Sequence, residues 1–130
     1  MKLIDANIFL ELLLGRGKAQ ECRKFIEGVS RGDEDAAVTH FSIHSIEHLL
    51  AARKTEVAPF LRSVEQATGL IVYDTSLSDE VAASLLMKQT GLDFDDVLQY
   101  YVAKKLGAES IVSLDKDFDG LDLPRVEPTP

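Results

Sequence analysis

The sequence predicts an α/β fold: a three-layer sandwich in which a mainly parallel central sheet is flanked by helices. Three observations predict it. Short apolar segments suited to strands alternate along the chain with longer segments of helical periodicity. The strand candidates are apolar nearly throughout, as strands covered on both faces are. Asp5, Asp74 and Asp115 each stand just past a strand candidate, at the carboxyl edge where open sheets of this class keep their sites. At 130 residues, the chain is expected to form one domain, residues 1–130.

Residues 2–4 form the first strand candidate, ending at Asp5. Residues 8–14 are apolar almost all round, interrupted by Glu11, and read as a buried helix closed by Gly15. Residues 18–29 carry Cys22, Phe25, Ile26 and Val29 at helical spacing. The polar run Gly32-Asp33-Glu34-Asp35 is a loop, and residues 36–39 a short strand. Helices are expected over 42–53 and over 57–68, the second ending at Gly69, and then a strand over 70–73. Residues 78–90 read as a single helix stopped by Gly91, and 93–106 as a helix stopped by Gly107. Residues 110–114 make a strand reaching Asp115, and the proline-rich tail permits one short edge strand.

Composition narrows the class. Apolar residues make up 45% and charged residues 28%, an ordinary soluble balance. No apolar run approaches the ~20 residues that span a bilayer, and the opening Met-Lys-Leu-Ile-Asp lacks the apolar stretch of a secretion signal. The single cysteine, Cys22, excludes an internal disulfide. A cytoplasmic protein with no membrane partner is expected. The net charge of −8, from 22 acidic and 14 basic residues, argues against a passive nucleic-acid binder, which shows a basic face. It leaves room for an enzyme that meets nucleic acid through bound metal, since two divalent ions bring about four positive charges.

The acids carry the functional signal, and each has a plain reading beside the chemical one. Asp5 suits a helix N-cap, but Asn7 can cap as well and free it. On a helical projection of 42–53, Ile43, Ile46, Leu49 and Leu50 share a face and Glu47 borders it, so its carboxylate needs a partner. That partner is a metal or a neighbouring cation such as Arg23 or Arg53, unless the stem lies over the core and the head reaches water. Asp93 fits the N-cap of its helix, which puts Asp96 in the first turn; first-turn acids suit the helix dipole, yet Asp93, Asp95 and Asp96 exceed what one cap requires. Asp115, Asp117 and Asp119 form either a solvated acidic turn or a ligand loop. An EF-hand is excluded, because no glycine stands at loop position six and no glutamate at twelve. Oxygen-only donors suit Mg²⁺ or Mn²⁺ rather than Zn²⁺.

Four segments carry a resemblance in register. Leu-Ile-Asp5-Ala-Asn7-Ile-Phe resembles the opening of PIN domains, and Ser45-Ile-Glu47-His-Leu-Leu their mid-chain glutamate helix. Asp95-Asp96-Val-Leu-Gln-Tyr-Tyr-Val-Ala-Lys-Lys-Leu-Gly107-Ala resembles their Asp-led helix. Ile111-Val-Ser113-Leu-Asp115-Lys-Asp117-Phe118 resembles their closing strand, with Ser113 where threonine is usual. The resemblance implies a pocket in which Asp5, Glu47, Asp96 and Asp115 bind Mg²⁺ or Mn²⁺, with Asp117 as a further ligand and Asn7 and Ser113 in support. It implies a metal-dependent endoribonuclease that hydrolyses RNA phosphodiester bonds. The chain's size resembles that of VapC-type toxins, which implies a homodimer and a small antitoxin partner. A stand-alone RNA-processing nuclease is the alternative. Lys104, Lys105 and Lys116 are candidates for holding phosphate, though solubility explains them equally well.

Three other readings compete. His44-Ser-Ile-Glu47-His48 fits the zinc pattern H-x-x-E-H, but both histidines project to solvent. Asp74, Ser113 and Lys116 could mimic a phosphorylated receiver domain, but Asp5 is followed by Ala6 where a receiver pairs its acids. A catalytically silent binding domain is disfavoured by the retention of all four acids.

Overall fold

A computed structural model describes residues 1–130. Its sheet has the order β3-β2-β1-β4-β5. The strands are β1 (Lys2–Ile4), β2 (Ala36–Thr39), β3 (Leu70–Tyr73), β4 (Ser110–Val112) and β5 (Arg125–Val126). Every neighbouring pair is parallel, so each crossover needs a long connection, and helices supply most of them. The helices are α1 (Ala6–Leu13), α2 (Ala19–Arg31), α3 (His40–Ala52), α4 (Ala58–Gln66), α5 (Leu77–Ser84), α6 (Met87–Thr90) and α7 (Phe94–Leu106).

Strand alternation sorts the apolar side chains onto two faces. Leu3, Ala37 and Ile111 pack with Ala83, Val97, Val102 and Phe118 on the side of α5 to α7. Ile4, Ala36, Val38 and Val112 pack with Ile8, Phe9, Val29, Ile46 and Phe60 on the side of α1 to α4. Both faces of β1, β2 and β4 are covered, which is why these strands are apolar on successive residues. The predicted three-layer α/β architecture is the one observed. No helix is long and apolar enough to cross a membrane.

Two boundaries move for identifiable reasons. Helix α3 starts at His40 rather than at 42, because the Thr39 hydroxyl accepts from the Ser42 N–H at 3.0 Å and caps the earlier turn. The helix expected over 78–90 breaks after Ser84. There the Leu86 N–H bonds to the Ala83 carbonyl, three residues back, at 3.0 Å, a tighter turn than the α-helix allows. Leu86 and Met87 are thereby turned into the core while Leu85 stays exposed.

Candidate metal centre

The register of the two central strands builds the site. Ile4 lies opposite Val112, so Asp5 and Ser113 leave the sheet side by side. The Asp5 N–H still reaches the Val112 carbonyl at 3.0 Å. The Ser113 hydroxyl donates to Asp5 Oδ2 at 2.6 Å and accepts from Asn7 Nδ2 at 3.2 Å and from the Asp115 N–H at 2.9 Å. One donor and two acceptor positions are then filled. Asn7 completes the brace by accepting from the Leu114 N–H at 3.3 Å. Neither Asp5 nor Asn7 caps α1 with its side chain; both are turned to this junction instead.

Helix α7 brings the next acid. Asp93 caps it as expected, accepting from the Asp96 N–H at 3.0 Å, and Asp96 is buried. A short 3₁₀ turn, Lys116–Phe118, follows Asp115, whose carboxylate accepts from the Asp117 N–H at 2.9 Å. Carboxylate oxygens of Asp96, Asp115 and Asp117 all lie within 4.8 Å of one another. Burial pushes the Asp96 carboxyl up to about 7, and the charges of Asp93, Asp5, Asp115 and Asp117 add to the rise. Asp5 is pushed up as well, by burial first and by Asp115, against hydrogen bonds from Ser113 and Gln99.

Residues 2–123 match the family of PIN domains. The chain belongs to the PIN domain family. No curated protein matches it in sequence, but solved structures share its fold. One is a toxin–antitoxin complex from Klebsiella pneumoniae, at 16% identity, TM-score 0.76, and 99% and 98% coverage of the two chains. Another is the sarcin-ricin-loop-cleaving toxin VapC20 of Mycobacterium tuberculosis, at 15% identity, TM-score 0.80, and 98% and 100% coverage. A third is FitAcB of Neisseria gonorrhoeae, at 14% identity, TM-score 0.65, and 98% coverage of both chains.

This PIN domain gathers its acids unevenly. Asp96, Asp115 and Asp117 form the cluster, and Asp5 adjoins it through Ser113 and through its field on Asp96. Glu47 is not among them: its carboxylate contacts His44 Nδ1 at 2.7 Å on α3. Lys104 pairs with Asp122 at 2.6 Å and Lys105 with Asp79 at 2.7 Å, at the end of α7 opposite Asp96. Eight residues of helix put them about 12 Å away along the axis. Of the three lysines, Lys116 alone stands next to the cluster, between Asp115 and Asp117. Asp119 belongs elsewhere, bonded to Arg125 at 2.8 Å.

Gln99 escaped the sequence reading. It is three residues beyond Asp96, on the same face of α7, and is 5% exposed. Its amide is close enough to Asp5 to oppose the rise of that carboxyl, while its Oε1 has no partner. A buried amide left half satisfied is costly. The signal available in the sequence was a glutamine at helical spacing from Asp96 within an otherwise apolar buried face. The donor set fits a hard divalent cation: the clustered ligand atoms are all carboxylate oxygens, converging on ion-sized space, with no basic side chain bonded to them.

Proposed function

We propose that this PIN domain is a divalent-metal-dependent endoribonuclease that hydrolyses RNA phosphodiester bonds, and that it acts as the toxin of a toxin–antitoxin pair. The observation that carries the reading is the convergence of Asp96, Asp115 and Asp117, with Asp5 braced beside them by Ser113. Asp96, Asp115, Asp117 and Asp5 would hold Mg²⁺ or Mn²⁺. Glu47 completes the set only if its carboxylate leaves His44. When bound, the cation supplies Lewis-acid stabilisation of charge on phosphate oxygens.

The chain's own residues limit the remaining chemistry. The Ser113 hydroxyl is committed to Asp5. The Cys22 thiol lies in the core on the α1-to-α4 side of the sheet, and burial pushes it up to about 11. Neither is available as a covalent nucleophile, which is consistent with attack by water and with hydrolysis as the proposed reaction class. Asp96 must lose its proton to serve as a ligand. Lys116, between Asp115 and Asp117 in the sequence, would meet phosphate charge that the acids alone would repel.

The partner readings rest on two surfaces. A cleft of about 260 Å³, lined by Phe9, Leu12, Ile26, Pro59, Phe60 and Val64 among others, opens between α1, α2 and α4. It suits the apolar side chains of a small antitoxin, and the Klebsiella structure of this fold is a toxin–antitoxin complex by name. Leu77, Val81 and Leu85 form an exposed stripe along α5, beside exposed Ile71 and Val72 on the edge strand β3; this surface supports a homodimer. A cytoplasmic location goes with this reading, because its RNA substrate and its antitoxin partner would be met there.

The direct test is cleavage of a panel of RNAs with Mg²⁺, with Mn²⁺ and with chelator. Cleavage that vanishes in chelator and returns with Mn²⁺ supports the reading; cleavage that persists in chelator ends it. Growth arrest on expression, relieved by a small protein encoded alongside, separates a toxin from a stand-alone processing nuclease.

A further inference from the structure

We propose that His40 and His44, at the start of α3, form a second metal site, which takes a transition ion such as Zn²⁺ rather than Mg²⁺. The two histidines are four residues apart and share one face of the helix. Their rings stack at 4.3 Å between centroids with 16° between planes. Each ring has a carboxylate on its Nδ1 side. Glu47 Oε1 is 2.7 Å from Nδ1 of His44, and Asp74 Oδ1 is 4.0 Å from Nδ1 of His40. The sheet places the second pair: Thr39 lies opposite Tyr73 in the parallel register, so the next residues, His40 and Asp74, are neighbours beyond the edge.

A carboxylate can only accept, so Nδ1 of His44 carries the hydrogen, and in the neutral ring Nε2 is the nitrogen with the lone pair. This is the arrangement metal-ligating histidines adopt, in which an outer carboxylate fixes the tautomer and aims the other nitrogen at the ion. Both rings are partly exposed, with side chains 40% and 66% accessible. The site requires both Nε2 atoms to reach one ion at Zn–N distances of about 2.0–2.1 Å, with water filling the remaining positions. Imidazole pairs select Zn²⁺, Cu²⁺ or Ni²⁺, whereas Mg²⁺ prefers oxygen. The site shares no residue with the cluster of Asp96, Asp115 and Asp117, but it engages Glu47, so that carboxylate serves either this site or the nuclease set and not both at once. It also gives His44 and Glu47 a common role without His48, which the H-x-x-E-H pattern would have required.

The experiment is Zn²⁺ uptake by the full chain, measured by calorimetry and by metal analysis after dialysis, with Mg²⁺ in excess. The site predicts one Zn²⁺ per chain, with affinity reduced at least about tenfold by His40→Gln and by His44→Gln and about tenfold by Glu47→Gln. His48→Gln leaves it unchanged, and the losses in His40→Gln and His44→Gln are the same when measured in an Asp96→Asn background, which removes binding at the acidic cluster. All three histidines are on the accessible side of α3, so circular dichroism should show each variant folded. No uptake under these conditions, uptake insensitive to His44→Gln, or uptake lost with His48→Gln or Asp96→Asn but kept in His40→Gln would each overturn the proposal.

Discussion

Asp79 and Asp96 are both buried aspartates, and they stand at opposite ends of electrostatic completeness. Asp79 accepts from the Tyr73 hydroxyl at 3.0 Å, the Tyr101 hydroxyl at 3.1 Å, the Ser76 N–H at 3.0 Å and the Lys105 ammonium at 2.7 Å. Lys105 and the Ser76 backbone hold its carboxyl well below the usual range. Asp96 meets no cation; burial and four surrounding carboxylates raise it to about 7. The protein finishes the first charge and leaves the second unfinished. A buried acid without a partner is destabilising, and one kept in a cluster with others of like charge is where a cation belongs.

The comparison predicts opposite outcomes for the same chemical change. The largest concerns activity. Asp96→Asn, and likewise Asp5→Asn, should lower RNA cleavage by at least about a hundredfold, because the cation that stabilises phosphate charge loses its seat. Asp79→Asn should leave cleavage per folded molecule near wild type. Equal losses in both variants would erase the distinction.

Stability comes next, and its sign depends on pH. Without metal, folded Asp96 titrates near 7 and unfolded Asp96 near 3.8. Between these values the native state holds more protons, so the stability present below about pH 4 is lost as pH rises towards 7. The loss is on the order of 2–4 kcal/mol. Chemical denaturation in chelator at pH 5 and pH 8 checks this, and Asp96→Asn should flatten the dependence and stabilise the metal-free protein at pH 8. A wild-type protein more stable at pH 8 than at pH 5 would contradict it. Asp79→Asn should act the other way at both pH values, lowering the melting temperature by roughly 5 °C, because it weakens the ties from α5 to α7 and to β3.

The smallest effect on stability separates surface from site. Leu85→Glu changes an exposed side chain and should shift stability by no more than about 0.5 kcal/mol. If α5 is the dimer face, the same variant converts a dimer to a monomer in light scattering. An unchanged dimer moves the interface elsewhere.

How much of this was legible beforehand follows from what kind of information each feature needs. Strand positions and the Asp93 cap are local, written in runs of apolar residues and in a single polar residue before a helix. The Asp5–Ser113 brace depends on β1 and β4 being neighbours, a long-range pairing that the sequence did not specify; Ser113 entered the sequence reading only through the resemblance. The Glu47 contact depends on a side-chain rotation towards a residue three positions away, which periodicity does not specify. Lys104 and Lys105 look free in the sequence because Asp122 and Asp79 reach them only through packing. The break after Ser84 carries no glycine or proline to announce it. Gln99 stayed hidden because its role rests on Asp5, 94 positions earlier in the chain.

The central claim is that the unfinished charge around Asp96 is a cation seat. Calorimetric titration of Mn²⁺ into the wild-type chain and into Asp96→Asn, at pH 7.5 and in the absence of RNA, tests it most directly. Saturable binding in the wild type that is lost in Asp96→Asn and retained in Asp79→Asn is the predicted result. Binding of equal affinity and stoichiometry in the wild type and Asp96→Asn would contradict it.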